Sequence, residues 1–299
     1  MKGIITNIQR FSLTDGDGIR TTVFFKGCNL NCTWCHNPET INRGSELLFY
    51  ENKCIGCGKC FESCHEKAHI TVDGKHKIDR TKCIGCGKCA DTCYAEALMM
   101  CGKEMSVSDI LKEVKQDKAY YDASCGGVTL SGGEVLCQKD FAMELIDACH
   151  KEDIKVAVET NICFSFDYAK EFLLKCDLIM CDLKIWDEED HVKYTGALNS
   201  KIIENIRKLD EMNIPFIVRT PLIPGATDSD ENIRTIASFL KGRKNLKRYE
   251  ILNYNPLGEG KYKALNVKND FENARPFGKE RLDEIKAILD ETGIDYKII

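Results

Sequence analysis

The residues best suited to chemistry lie in one short run, Gly27-Cys28-Asn29-Leu30-Asn31-Cys32-Thr33-Trp34-Cys35-His36-Asn37-Pro38, which spaces three thiols as C-x3-C-x2-C. Soft thiolate ligands select iron–sulfur clusters or zinc. Three on one short loop suit one face of a four-iron cluster, and a cubane has four corners, so one iron stays open to a small molecule. Zinc is the competing reading, but structural zinc closes with four ligands, usually built from C-x2-C pairs. Cys28, Cys32 and Cys35 are therefore the expected catalytic centre.

A second concentration of thiols follows. Cys54-Ile55-Gly56-Cys57-Gly58-Lys59-Cys60 recurs as Cys83-Ile84-Gly85-Cys86-Gly87-Lys88-Cys89, and each copy is followed by a fourth cysteine, Cys64 and Cys93. This C-x2-C-x2-C-x3-C pattern is that of bacterial two-cluster ferredoxins, in which the fourth cysteine ligates the other cluster. One expected set is Cys54, Cys57, Cys60 and Cys93; the other is Cys83, Cys86, Cys89 and Cys64. His65 and Tyr94 stand where such motifs often carry proline, which affects loop rigidity more than ligation. Cys101, Cys125, Cys137, Cys149, Cys163, Cys176 and Cys181 lack ligand spacing and read as small hydrophobes.

The loop Cys28–Cys35 follows an apolar, strand-like run, Thr22–Phe25. After the repeat, Met105–Tyr121 predicts an amphipathic helix capped by Ser106 or Ser108. Predicted strands at 127–131, 155–159, 177–184, 215–220, 248–254 and 295–299 then alternate with predicted helices at 139–151, 166–175, 200–212, 230–240 and 279–291. Such alternation means a parallel sheet, barrel or doubly wound. In these folds ligands sit at the carboxyl ends of the strands. Those ends carry Ser131-Gly132-Gly133-Glu134, Glu159-Thr160-Asn161, Asp182-Leu183-Lys184, Arg219 and Tyr254-Asn255, which should face one pocket.

The chain's 299 residues, 43% hydrophobic, suffice for a full core. A net charge of −5 argues against nucleic acid as a main partner. The absence of a long apolar run argues against a signal peptide or membrane span, and clustered cysteines favour metal chemistry in a reducing, cytoplasmic compartment. Phe11–Arg20, with Gly16 and Gly18 flanking Asp17, reads as a turn-rich lid or partner-docking segment.

With Asp15-Gly16-Asp17-Gly18-Ile19-Arg20, Phe25-Lys26-Gly27-Cys28, Cys32–Pro38, Ser131–Glu134 and Asp182–Lys184 assembled, the chain resembles the activating enzymes of glycyl radical enzymes. These form the organic-radical-activating family of the radical S-adenosylmethionine (SAM) superfamily. The resemblance implies an α/β fold: a partial (β/α)6 TIM-type barrel, residues 1–49 and 102–299, with a bacterial ferredoxin-like insert at 50–101. It implies three [4Fe-4S] clusters, with SAM chelating the open iron. Reductive cleavage of SAM would give methionine and 5′-deoxyadenosine, leaving a glycyl radical on the partner.

The same resemblance assigns roles. The backbone of Trp34, Cys35 and His36 would border adenine, and Gly132 and Gly133 would admit the methionine end. Glu134, Asp182, Leu183 and Lys184 would hold the charged cofactor, and Arg219 would meet its carboxylate. Glu159, Thr160 and Asp182 are a candidate monovalent-cation site. Asn255 replaces a frequent histidine, so a protonatable role gives way to a ribose contact. The implied partners are a glycyl radical enzyme and a flavodoxin or ferredoxin donor, with the chain itself a monomer. Two other readings stand beside this one: a radical SAM enzyme acting on a small molecule, and a ferredoxin-type electron-transfer protein.

Overall fold

The computed structural model describes residues 1–299. Its strands, in chain order, are β1 Lys2–Ser12, β2 Arg20–Phe25, β3 Glu46–Phe49, β4 His69–Val72, β5 Lys75–Ile78, β6 Leu98–Cys101, β7 Lys103–Ser106, β8 Gly127–Gly132, β9 Val156–Thr160, β10 Leu178–Asp182, β11 Phe216–Pro221, β12 Leu246–Leu252 and β13 Tyr296–Ile298. One sheet runs β13-β12-β11-β10-β9-β8-β2-β1-β7. From β2 to β13 every neighbour is parallel, whereas β1 runs antiparallel to β2 and β7. The end strands do not pair, so the sheet stays open, the arrangement of a partial barrel.

The six expected strands, β2 and β8–β12, lie in consecutive order, and the run at 295–299 adds a seventh parallel strand beside β12. The near-continuous apolar composition of strands such as Val156–Thr160 and Leu178–Asp182 fits a sheet covered by helices. Those helices include Lys139–His150, Phe166–Lys175, Ser200–Glu211, Asp230–Leu240 and Lys279–Thr292. Their inward residues, Leu145, Phe172, Ile206, Ile236 and Ile285, join Val158, Ile179 and Val218 in one core.

The helix expected over Met105–Tyr121 is broken. Met105 belongs to β7; a helix covers Val107–Val114, a 3-10 turn Lys115–Asp117, and a second helix Lys118–Ser124. Ser106 is the cap, closing a reciprocal capping box with Asp109. The break falls where the buried Asp117 carboxylate takes hydrogen bonds from Arg10 Nε (2.8 Å) and Thr21 Oγ1 (2.7 Å), tying the chain to β1 and β2. β1, flanked by β2 and β7, went unread because polar residues such as Thr6, Asn7, Gln9 and Arg10 mask its alternation.

The insert has its own small core of Leu47, Phe49, Ile78, Cys89, Ala97 and Leu98. Its seam is the β3–β6 pair, so residues 46–49, expected with the barrel, are bonded to the end of the insert. No helix is long and apolar enough to cross a membrane.

Candidate active site

The three-cysteine loop leaves the carboxyl end of β2 and is held from two sides. Gly27 N–H donates to Thr40 O (2.7 Å) and Cys28 N–H to Ile41 O (2.9 Å). Asn31 N–H and Thr33 N–H donate to Thr195 O (2.8 Å) and Tyr194 O (2.9 Å) at the end of helix Glu188–Thr195, which the sequence reading missed. Trp34 is buried, packing on Ile185 and Ile223 and against the Tyr194 and Phe271 rings. Burial pushes the Cys28 and Cys32 thiols above their ordinary range and Cys35 up to about 12. Sulfurs buried this way ionise only against a strong positive centre, which a cluster iron supplies. The donor set, all thiol, fits an iron–sulfur cluster.

The strand ends form the adjoining wall. Gly133 N–H donates to Phe25 O (2.9 Å) and Glu134 N–H to Gly27 O (2.8 Å), hanging the Ser131–Glu134 turn on the root of the cysteine loop. Gly132 has φ +110°, and a Cβ there would lie 2.4 Å from Phe25 N and O; at Gly133 it would lie 2.4 Å from Gly27 O. The glycines are thus required by chain-on-chain packing, before any cofactor approaches. Gly132→Ala should lower the unfolding midpoint and iron uptake together, at a cost of about 3 kcal/mol or more from strain and displacement. Thermal unfolding and iron analysis of the purified variant test this.

Glu134 is wholly buried and committed to the scaffold. Its Oε1 accepts from Leu136 N–H (3.0 Å) and Thr160 Oγ1 (2.8 Å), and its Oε2 accepts from Asn161 N–H (2.8 Å). Asn161 Nδ2 in turn donates to Asn29 Oδ1 (2.9 Å) and approaches Cys28 Sγ at 3.9 Å. Asn161, expected only as one of the strand-end polar groups, thus reaches the cysteine loop itself. Burial outweighs these hydrogen bonds and raises the Glu134 carboxyl to about 7. Its folded form therefore holds a proton that the unfolded form releases near 4.5, so its contribution falls as pH rises between those values. Urea midpoints before iron loading should drop with pH across that window by up to about 3 kcal/mol, and Glu134→Gln should remove the slope.

Beyond Glu134, three groups of expected site residues are already engaged within the chain. The Arg219 guanidinium is one of them. It pairs with Glu159 and with Glu250 (Nε to Oε2, 2.7 Å) and donates to Thr14 O (2.9 Å). Glu159 takes its second hydrogen bond from Ser131, and Thr160 is engaged with Glu134 and Ile162 N–H. Asn255 caps the turn Pro256–Gly258, its Oδ1 accepting from Leu257 N–H (3.0 Å). That turn packs Gly258 against His36, whose half-buried ring burial holds below its ordinary range.

Asp182 and Lys184 pair at 2.6 Å beside the cysteine loop, flanking the buried Leu183. Burial alone would lower the Lys184 ammonium, but Asp182 and the Cys32 and Cys35 sulfurs hold it protonated. A fixed cation thus stands beside the thiols, with a carboxylate behind it.

In the insert, Cys54, Cys57, Cys60 and Cys93 line one cavity of about 420 Å³. Burial, then the Cys83 and Cys64 sulfurs, push Cys89 up to about 11. Each copy of the repeat therefore meets the fourth cysteine of the other. Behind Cys60 stand His69 and His76, with Nδ1 and Nε2 2.8 Å apart and all three donor groups within 4.8 Å, a cluster that spacing alone did not reveal.

The chain is similar to known proteins along its whole length. The Radical SAM superfamily profile matches residues 81–237, and a 4Fe-4S dicluster domain profile matches 47–94. A trans-4-hydroxy-L-proline dehydratase activating enzyme of Clostridioides difficile is 40% identical over all of this chain and 99% of its own. A benzylsuccinate synthase activating enzyme of Thauera aromatica is 41% identical, covering 90% of this chain and 83% of its own. The fold matches a radical SAM methyltransferase structure from Sphaerobacter thermophilus, with TM-score 0.54 over 99% of this chain and 76% of that one at 14% identity. With its thiol loop, strand-end wall and paired ferredoxin motifs in place, the chain belongs to the radical SAM superfamily and, within it, to the activating enzymes of glycyl radical enzymes.

Proposed function

We propose that the chain holds three [4Fe-4S] clusters, one on Cys28, Cys32 and Cys35 and two in the insert, and generates the glycyl radical of its partner by reductive cleavage of SAM. A reactive carbon radical is chemistry that the cofactor supplies and amino-acid side chains do not. The chain's own residues bind, orient and shield. Cys28, Cys32 and Cys35 fix the reacting centre, and Lys184 with Asp182 offers a charged pair to the amino-acid end of SAM. Glu134 and Asn161 lock the Cys28 side of the loop. The observation that carries this reading is the partly buried three-thiol loop, bonded to the Gly132–Gly133 turn and flanked by Lys184.

A flavodoxin or ferredoxin is the proposed donor, and a monomer in a reducing, cytoplasmic setting the proposed acting form. The dehydratase-linked relative at 40% and the synthase-linked one at 41% share the activation step with this chain rather than one partner chemistry. The test is anaerobic incubation of the iron-loaded chain with dithionite, SAM and a candidate glycyl radical enzyme. Expected products are 5′-deoxyadenosine and a glycyl EPR doublet on the partner. SAM cleavage that yields a small-molecule product without any glycyl protein would replace this reading; no cleavage by the fully loaded chain would end it.

A further inference from the structure

The two copies of Cys-Ile-Gly-Cys-Gly-Lys-Cys are identical in sequence, yet the fold puts them in unlike surroundings. A Cβ at Gly56 or Gly58 would meet open space, whereas at Gly85 it would lie 2.7 Å from Ser45 O, on the segment that supports the cysteine loop. Cys83 and Cys32 line the same groove, of about 670 Å³, together with Thr33, Arg80 and Tyr262. Tyr262 is buried there, and its hydroxyl donates to Thr33 O (3.5 Å) on the cysteine loop. Arg80 spans the seam by donating to Leu47 O and Ala264 O (3.1 Å), and its buried Nε–H has no partner beside Cys83. The Cys54/Cys57/Cys60/Cys93 cavity includes none of the barrel's cysteine loop in its wall; two of its cysteines, Cys54 and Cys57, are exposed and none is buried, whereas in the other set Cys86 alone is exposed and Cys89 is buried.

We propose that the repeat is directional: Cys83, Cys86, Cys89 and Cys64 form the inner electron site, one groove from the Cys28 loop, and Cys54, Cys57, Cys60 and Cys93 form the outer site that an external donor reaches. This rests on the three-cluster loading proposed above. A reduced ferredoxin- or flavodoxin-type protein loses one electron to the outer set. The same electron moves to the inner set, then to the Cys28 loop, where carbon–sulfur cleavage of SAM consumes it. No proton crosses the insert.

The experiment compares the iron-loaded full chain with Cys57→Ala and Cys86→Ala, using reduced ferredoxin as donor and EPR as readout. Wild type should take up about twelve irons and each variant about eight. A wild-type shortfall overturns the loading and this assignment with it, whereas full loading isolates the question of order. In Cys86→Ala the outer set should still be reduced by ferredoxin, while the SAM-sensitive signal of the Cys28 loop appears about tenfold more slowly. Spin coupling that broadens that signal in wild type should vanish in Cys86→Ala and persist in Cys57→Ala. A second pair guards against misfolded variants: Gly56→Ala and Gly85→Ala keep every thiol and carry nearly the same φ, +70° and +68°, but only the latter drives into Ser45. Gly85→Ala should weaken the coupling and Gly56→Ala retain it. The reverse pattern in either pair, or wild-type reduction of the loop in Cys86→Ala, overturns the proposal.

Discussion

Replacing Cys32 by alanine should stop 5′-deoxyadenosine formation and the partner's glycyl EPR signal, while leaving the insert loaded. Iron should fall from about twelve to about eight per chain, because the eight insert thiols are untouched. The reason is positional. The Cys32 side chain packs partly buried beside Trp34 and Ile185 and close to Lys184, on a loop already fixed through Asn31 and Thr33 N–H. Losing one sulfur therefore leaves the backbone in place, so the variant should fold and unfold within about 1 kcal/mol of wild type before iron loading. The effect falls on chemistry alone. A ferredoxin-type electron carrier would lose nothing from this change, and retention of dithionite-reducible insert signals serves as the internal control.

The parts legible in the sequence are those in which spacing is itself the chemistry. Cys28, Cys32 and Cys35 need only a loop, and the C-x2-C-x2-C-x3-C repeats carry their cross-pairing in the pattern. The β–α alternation was equally clear, because buried parallel strands such as Leu178–Asp182 are apolar runs bounded by polar strand ends. What escaped was decided by partners far away in the chain. Arg219 sits at a strand end as expected, yet its guanidinium is claimed by Thr14, Glu159 and Glu250. Gly132 and Gly133 were expected beside the cofactor, and the turn they form hangs on the root of the cysteine loop. Their intolerance of a side chain, however, arises from the backbone of Phe25 and Gly27. Asn161 and His76 show the same limit, since their neighbours Cys28 and Cys60 lie 133 and 16 residues away.

Arg219→Met should destabilise the fold by about 2–4 kcal/mol, a loss read from the denaturation midpoint. The guanidinium on β11 lies between Glu250 on the adjacent β12 and Glu159 on β9, two strands away, and Glu250 keeps a second cation in Arg248 Nε at 2.7 Å. Glu159 keeps only the Ser131 hydroxyl, so it bears most of the loss, moderated because 25% of its side chain reaches solvent. Burial already raises the Glu159 carboxyl above its ordinary range, with Arg219 opposing the rise. Without Arg219 it rises further, widening the pH range in which the folded variant holds a proton that the unfolded chain has released. The deficit should be complete above the raised value and shrink as pH falls toward the ordinary carboxyl range. Glu159→Gln in the same chain should restore much of the stability at neutral pH, because it removes the stranded charge. If Arg219 instead served chiefly as a ligand for the SAM carboxylate, the single variant would weaken SAM binding at full stability, and the second substitution would rescue nothing. The two explanations therefore separate on one double-mutant cycle, with denaturation and SAM titration as its readouts.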